Sequence, residues 1–184
     1  CFYSPAEEDP ETWEVIGEEK SNTNITNIKL NNVKKIGKNA FDYNVLLKEL
    51  IIPESVEEIG RDLLTYSTEI EKVRLPDNLE VMNDLFFAEC RKLKEVNIPS
   101  HLRKMYDCIF YNCLEVSPSV AILPETVEIL DGAAYYGIRA IEKVVIPKNV
   151  RVLRSAFNGM AGLRKATILT DKLTEIGDDA FYWC

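Results

Sequence analysis

One phrase recurs along the chain. Leu-x-x-Val-x-Ile-Pro-x-x-Val-x-x-Ile-Gly-x-x-Ala-Phe-x-x-Cys returns about every 23 residues. A fixed period in the range of roughly 20–50 residues means a solenoid or array, and it moves the functional question from a pocket to a surface. The prolines carry the register. Pro53, Pro76 and Pro99 are 23 apart, the step to Pro124 is 25, Pro147 follows after 23, and Thr170 stands one further step along. An Ala-Phe-like pair recurs at Ala40-Phe41, Leu63-Leu64, Phe86-Phe87, Ile109-Phe110, Ala134-Tyr135, Ala156-Phe157 and Ala180-Phe181, so about seven repeats are expected.

Each repeat divides in two. In Leu47–Pro53, Leu50 and Ile52 point one way and Glu49 and Ile51 the other, the alternation of a short strand. Proline ends it, because it has no amide hydrogen to give a ladder. Gly37, Gly60 and Gly177 follow the second aliphatic, with Asn83 and Asp131 in the same place, which predicts a left-handed backbone there. The Ala-Phe stretch fits one or two helical or 3-10 turns with the aromatic driven under the sheet. A lone unit of this size cannot bury its apolar face, so neighbours must stack into one core.

The net charge of -8 is not spread evenly. Residues 1–24 carry seven acids against Lys20 alone, leaving 23 acids and 21 bases in the repeats. That segment reads as an acidic N-terminal leader, a solvated linker or a cap in which Trp13, Val15 and Ile16 cover the first repeat. No run of apolar residues approaches a membrane span.

These residues resemble the BspA-like, or Treponema-type, leucine-rich repeats over residues 25–184. Leu47–Ser67 and Leu93–Cys113 follow the pattern nearly throughout, whereas the repeat from Pro118 to Ala140 departs by an insertion before it and by Tyr135-Tyr136-Gly137. The resemblance implies an α/β, right-handed solenoid: short parallel strands on one face, turns and short helical segments on the other. It further implies a surface or secreted protein, with members acting mainly as adhesins for host matrix proteins or other cells. A lipid-modified Cys1 would anchor such a module to a membrane. The competing expectation is a structural spacer within a larger surface protein.

Chemistry finds little footing. Cys90, Cys113 and Cys184 share a repeat position with Ser67 and read as small buried residues. Cys108 and Cys113 suggest a disulfide or metal pair only weakly, since a zinc site needs four ligands and the chain has one histidine. His101 has no nucleophile or acid placed by spacing into a triad. Asn24-Ile25-Thr26 is a glycosylation sequon. No catalytic residue, cofactor or metal is expected, and dispersed basic residues do not suit nucleic acid.

The outward strand stripe remains. It runs Asn27, Lys29, Glu49, Ile51, Lys72, Arg74, Glu95, Asn97, Val120, Ile122, Lys143, Val145, Lys165 and Thr167, with five bases and two acids. A protein partner is expected on this face, through Lys72, Arg74, Val120, Ile122, Lys143 and Val145, where an exposed apolar patch has no structural need to exist.

Overall fold

The computed structural model describes residues 25–184. The leader, Cys1 and the sequon asparagine lie outside the described residues. The repeats coil into a parallel β-solenoid of about six turns. Seven Ala-Phe-like pairs mark off six intervals, so counting the markers overstates the turns by one.

The strands form two walls. The strands before the proline are β2 (Glu49–Ile51), β4 (Lys72–Arg74), β6 (Glu95–Val96), β9 (Lys143–Ile146) and β11 (Lys165–Ile168). Those after it are β1 (Lys35–Ile36), β3 (Glu58–Ile59), β5 (Val81–Met82), β7 (Lys104–Met105), β8 (Ile129–Leu130) and β10 (Val152–Leu153). All pairings are parallel. The first wall consists of β2-β4-β6 and β9-β11; the second of β1-β3 and β5-β7-β8-β10.

The Ala-Phe stretch, which forms the third wall of each turn, corrects the expectation of an α/β fold with short helical segments. No α-helix occurs among the described residues, and the only helical piece is a 3-10 turn at Pro118–Ala121. The backbone supplies the reason. Each repeat places two residues at positive φ, as in Asp62 and Tyr66, Leu85 and Glu89, or Cys108 and Asn112. Only a few right-handed residues fit between them, too few to nucleate a helix. The N–H groups freed from helical bonding point to the next turn instead. Those of Asp62, Leu64 and Tyr66 donate to the carbonyls of Asp84, Phe86 and Ala88 at 3.0, 3.0 and 2.9 Å.

The left-handed positions also differ from the expected ones. Gly37, Gly60, Asn83, Asp131 and Gly177 do not have positive φ; Asn39, Asp62, Leu85, Gly132 and Asp179, one or two residues further on, do. Gly60 serves close approach, because a Cβ there would lie 2.6 Å from the Lys38 amide nitrogen. Asn83 serves the ladder: its Nδ2 donates to the Ile59 carbonyl at 2.7 Å, between β3 and β5.

The core is a stack. Phe87, Phe110, Tyr135, Phe157 and Phe181 follow one another with centroids 5.5–5.7 Å apart. Beside them runs a column of small donors. Ser67 Oγ donates to the Phe41 carbonyl at 3.0 Å, and the thiols of Cys90, Cys113 and Cys184 do the same to Leu64, Phe87 and Phe157 at 3.1, 3.0 and 3.1 Å. These cysteines therefore hydrogen-bond between turns as well as fill space. Burial pushes the Cys90 and Cys113 thiols up, which keeps them protonated as donors. Cys184 is exposed, unlike the other two. Cys113 is a free thiol, so it forms no bridge to Cys108.

The 25-residue step is absorbed at Pro118–Ala121. Here the chain forms the 3-10 turn instead of a strand, and the first wall is interrupted between β6 and β9. Val120 turns inward and is fully buried. Its carbonyl accepts a hydrogen bond from the Tyr135 hydroxyl at 3.0 Å, which is why the aromatic stack carries a tyrosine in this repeat.

Candidate functional site: the outer face of the first strand wall

The break at Pro118–Ala121 divides the strand face into halves of different chemistry. On the N-terminal half the charges satisfy one another. Lys72 Nζ lies 3.7 Å from Glu49 and 3.8 Å from Glu95, its neighbours in register, and Arg74 lies 3.9 Å from Glu54. Exposed pairs of this kind are worth about 0–1 kcal/mol each, yet they leave neither cation without a carboxylate beside it. Asn97 completes the wall by bonding both backbone groups of Leu75, at 2.8 and 3.0 Å.

The C-terminal half is apolar and unbalanced. Ile122 is 75% exposed and Val145, one turn on at the same repeat position, is 48% exposed. Lys143 stands directly opposite Lys165 across β9 and β11. Ile122, Lys143 and Val145 are thus all exposed on this half of the face. It corrects the placement of Val120, which the 3-10 turn rotates into the core because strand alternation does not continue through it. Lys72 and Arg74 belong to the other half, with Arg74 three turns and about 14 Å from Val145 at the usual strand spacing. Lys165 is the neighbour whose role the stripe did not single out. Its signal was the like charge one repeat along from Lys143.

Two other places gather titratable side chains. A groove of about 670 Å³ on the second wall is lined by His101, Arg103, Thr126, Glu128, Arg151 and Lys172 among others. Glu128 already accepts from Arg103 and Arg151, which hold its carboxyl below the ordinary value. Folding also brings Asp77 and Ser100 beside His101. The wiring is not that of a triad: Ser100 Oγ gives its proton straight to Asp77 at 2.6 Å, while one imidazole nitrogen, Nδ1, lies near both Ser100 and the Asp77 carbonyl. Asp77 also accepts the Ser100 amide at 2.8 Å, which makes it a cap between turns. Among the described residues no group of three or more His, Cys, Asp or Glu could hold a metal ion.

A family model for the BspA type leucine rich repeat region matches residues 10–117 and 66–184 in six copies. The chain belongs to the BspA-type leucine-rich repeat family. Solved structures agree on the fold. A leucine rich repeat protein of T. pallidum matches with a TM-score of 0.66 at 24% identity, over 73% of this chain and 63% of that one. A leucine-rich repeat protein from Bacteroides ovatus gives 0.56 at 21%, over 83% and 56%. A leucine rich cell surface protein from Faecalibacterium prausnitzii gives 0.54 at 23%, over 76% and 44%. The chain therefore spans less than two thirds of each of these proteins. No curated protein matches it.

Proposed function

We propose that this BspA-type module is a non-enzymatic recognition surface, displayed at the cell surface or secreted, that binds a protein partner through the C-terminal half of its strand face. The observation that carries this reading is the exposure of Ile122 and Val145 on a wall whose other half is internally neutralised. Ile122 and Val145 gain little from burial within the chain, so their grouping at adjacent turns suits an interface. The display of a leucine rich protein of Faecalibacterium prausnitzii at the cell surface supports the location. Adhesion to a host matrix or cell-surface protein is the role that best fits a broad face with a few apolar anchors.

A second reading has its own support. The N-terminal half, with Lys72 and Arg74 already paired, is what a spacer that binds nothing would present. The test is binding of the immobilised chain to a panel of matrix and cell-surface proteins, beside an Ile122→Glu/Val145→Glu variant with unchanged thermal unfolding. Binding that the variant loses is the expected result. Binding that the variant retains, or none to any panel member, contradicts it and favours the spacer.

A further inference from the structure

Three strand pairs in this solenoid face residues of opposite charge across a ladder: Lys35 with Glu58, Glu49 with Lys72, and Lys72 with Glu95. Outside the strands the same rule holds between turns, as in Lys94 with Glu71 and Arg154 with Asp131. Lys143 and Lys165 are the exception. They are directly opposed in register, an arrangement that destabilises a sheet. Among the described residues neither has a carboxylate within ion-pair distance, and the nearby Glu142 is paired with Arg164 at 4.0 Å.

The backbone beside these lysines is unfinished as well. The β11 amides of Lys165 and Leu169 donate to Glu142 and Ile146, so even-numbered residues of β9 face β11. Lys143 and Val145 face the other way, toward Pro118–Ala121, and no backbone hydrogen bond crosses to that segment. Two ammonium groups and open ladder positions thus adjoin the exposed Ile122 and Val145.

We propose that this half of the strand face takes a partner segment carrying carboxylates between apolar side chains, with a carboxylate seated across Lys143 and Lys165 and the apolar groups on Ile122 and Val145. The inference rests on the proposed recognition function and adds the partner's chemistry. One carboxylate would supply the opposite charge that every other strand ladder of charged pairs contains. An extended polyanion suits the face less well, because Glu142 adjoins Lys143 in the chain and the molecule as a whole carries a net charge of -8.

The probes are short peptides in which valine alternates with glutamate, glutamine or lysine, together with vesicles rich in phosphatidylglycerol. The side-chain amines of Lys143 and Lys165 and the Ile122 methyl are followed by NMR in the whole chain. The glutamate peptide is expected to shift all three groups. Its affinity should fall about tenfold in Lys143→Gln/Lys165→Gln and weaken as salt shortens the Debye length below about 8 Å, while Lys72→Gln leaves it unchanged. Equal shifts with the glutamine or lysine peptide, no shift with the glutamate peptide, or shifts with vesicles alone would overturn the proposal. A panel protein whose binding is lost in Ile122→Glu/Val145→Glu yet indifferent to Lys143→Gln/Lys165→Gln would overturn the charge seat and leave the recognition face standing.

Discussion

The two halves of the first strand wall share a period, a proline rule and an aromatic spine, yet they differ in what they leave unsatisfied. From β2 to β6 the outward charges alternate in sign between turns, and Asn97 closes the backbone ladder. From Ile122 to β11 the outward groups are apolar or alike in charge, with Thr167 the one neutral polar residue of the stripe there. The repeat explains the first half as architecture. The first half exposes one apolar side chain, Ile51, between charged neighbours, whereas the second groups Ile122 and Val145 at successive turns, and the proposed recognition rests on that grouping.

The largest test concerns what the halves share. Phe110 stacks between Phe87 and Tyr135 with no exposure, so Phe110→Asp places an unpaired charge in the spine. More than about 4 kcal/mol should be lost, with no cooperative transition in chemical denaturation. A folded, equally stable variant would mean that the stack does not join the halves.

The next effect is local to the junction. Tyr135→Phe removes the hydroxyl that satisfies the buried Val120 carbonyl and should cost about 1–3 kcal/mol. Amide exchange ought to quicken first at Val120 and Ile122. Uniform quickening would show that the 3-10 turn is not a separate element.

Charge swaps separate the halves directly. Lys165→Glu creates an opposite pair with Lys143 and should stabilise by about 0.2–1 kcal/mol, whereas Glu95→Lys puts like charges beside Lys72 and should destabilise by a similar amount. Opposite signs in thermal unfolding are the expected outcome, and equal signs would remove the contrast.

The smallest effect is that of pH on the second wall. Arg103 and Arg151 lower the Glu128 carboxyl below its ordinary 4.5. A lowered folded-state value means that its contribution is complete above 4.5 and disappears as the pH falls through the lowered value. Glu128→Gln should therefore flatten the acid limb of the stability profile; an unchanged limb would place that dependence elsewhere.

Much of this was legible in the residues. Period 23 and the prolines announced the stacked turns, and the same spacing put Lys72 between Glu49 and Glu95, although a tally of bases along the stripe hid the pairing. The third wall was harder to read. Leu85, Glu89 and Ser155 hold positive φ without being residues that favour it, because hydrogen bonds to the next turn fix a conformation that local preference would not choose. Val120 was misplaced for a related reason: a two-residue insertion resets the alternation, and only the tyrosine at position 135, where most other turns carry phenylalanine, hinted at a polar group beneath.

The most direct test of the asymmetry pairs one variant from each half. Ile122→Glu/Val145→Glu and Ile51→Glu/Arg74→Glu, both confirmed to melt as the parent does, are compared for affinity to cell-surface and matrix proteins presented in one array. The account predicts that the first pair loses at least about tenfold in affinity for a protein the parent binds, and the second less than about twofold. Equal losses, a loss confined to the second pair, or a parent that binds nothing in the array would contradict it.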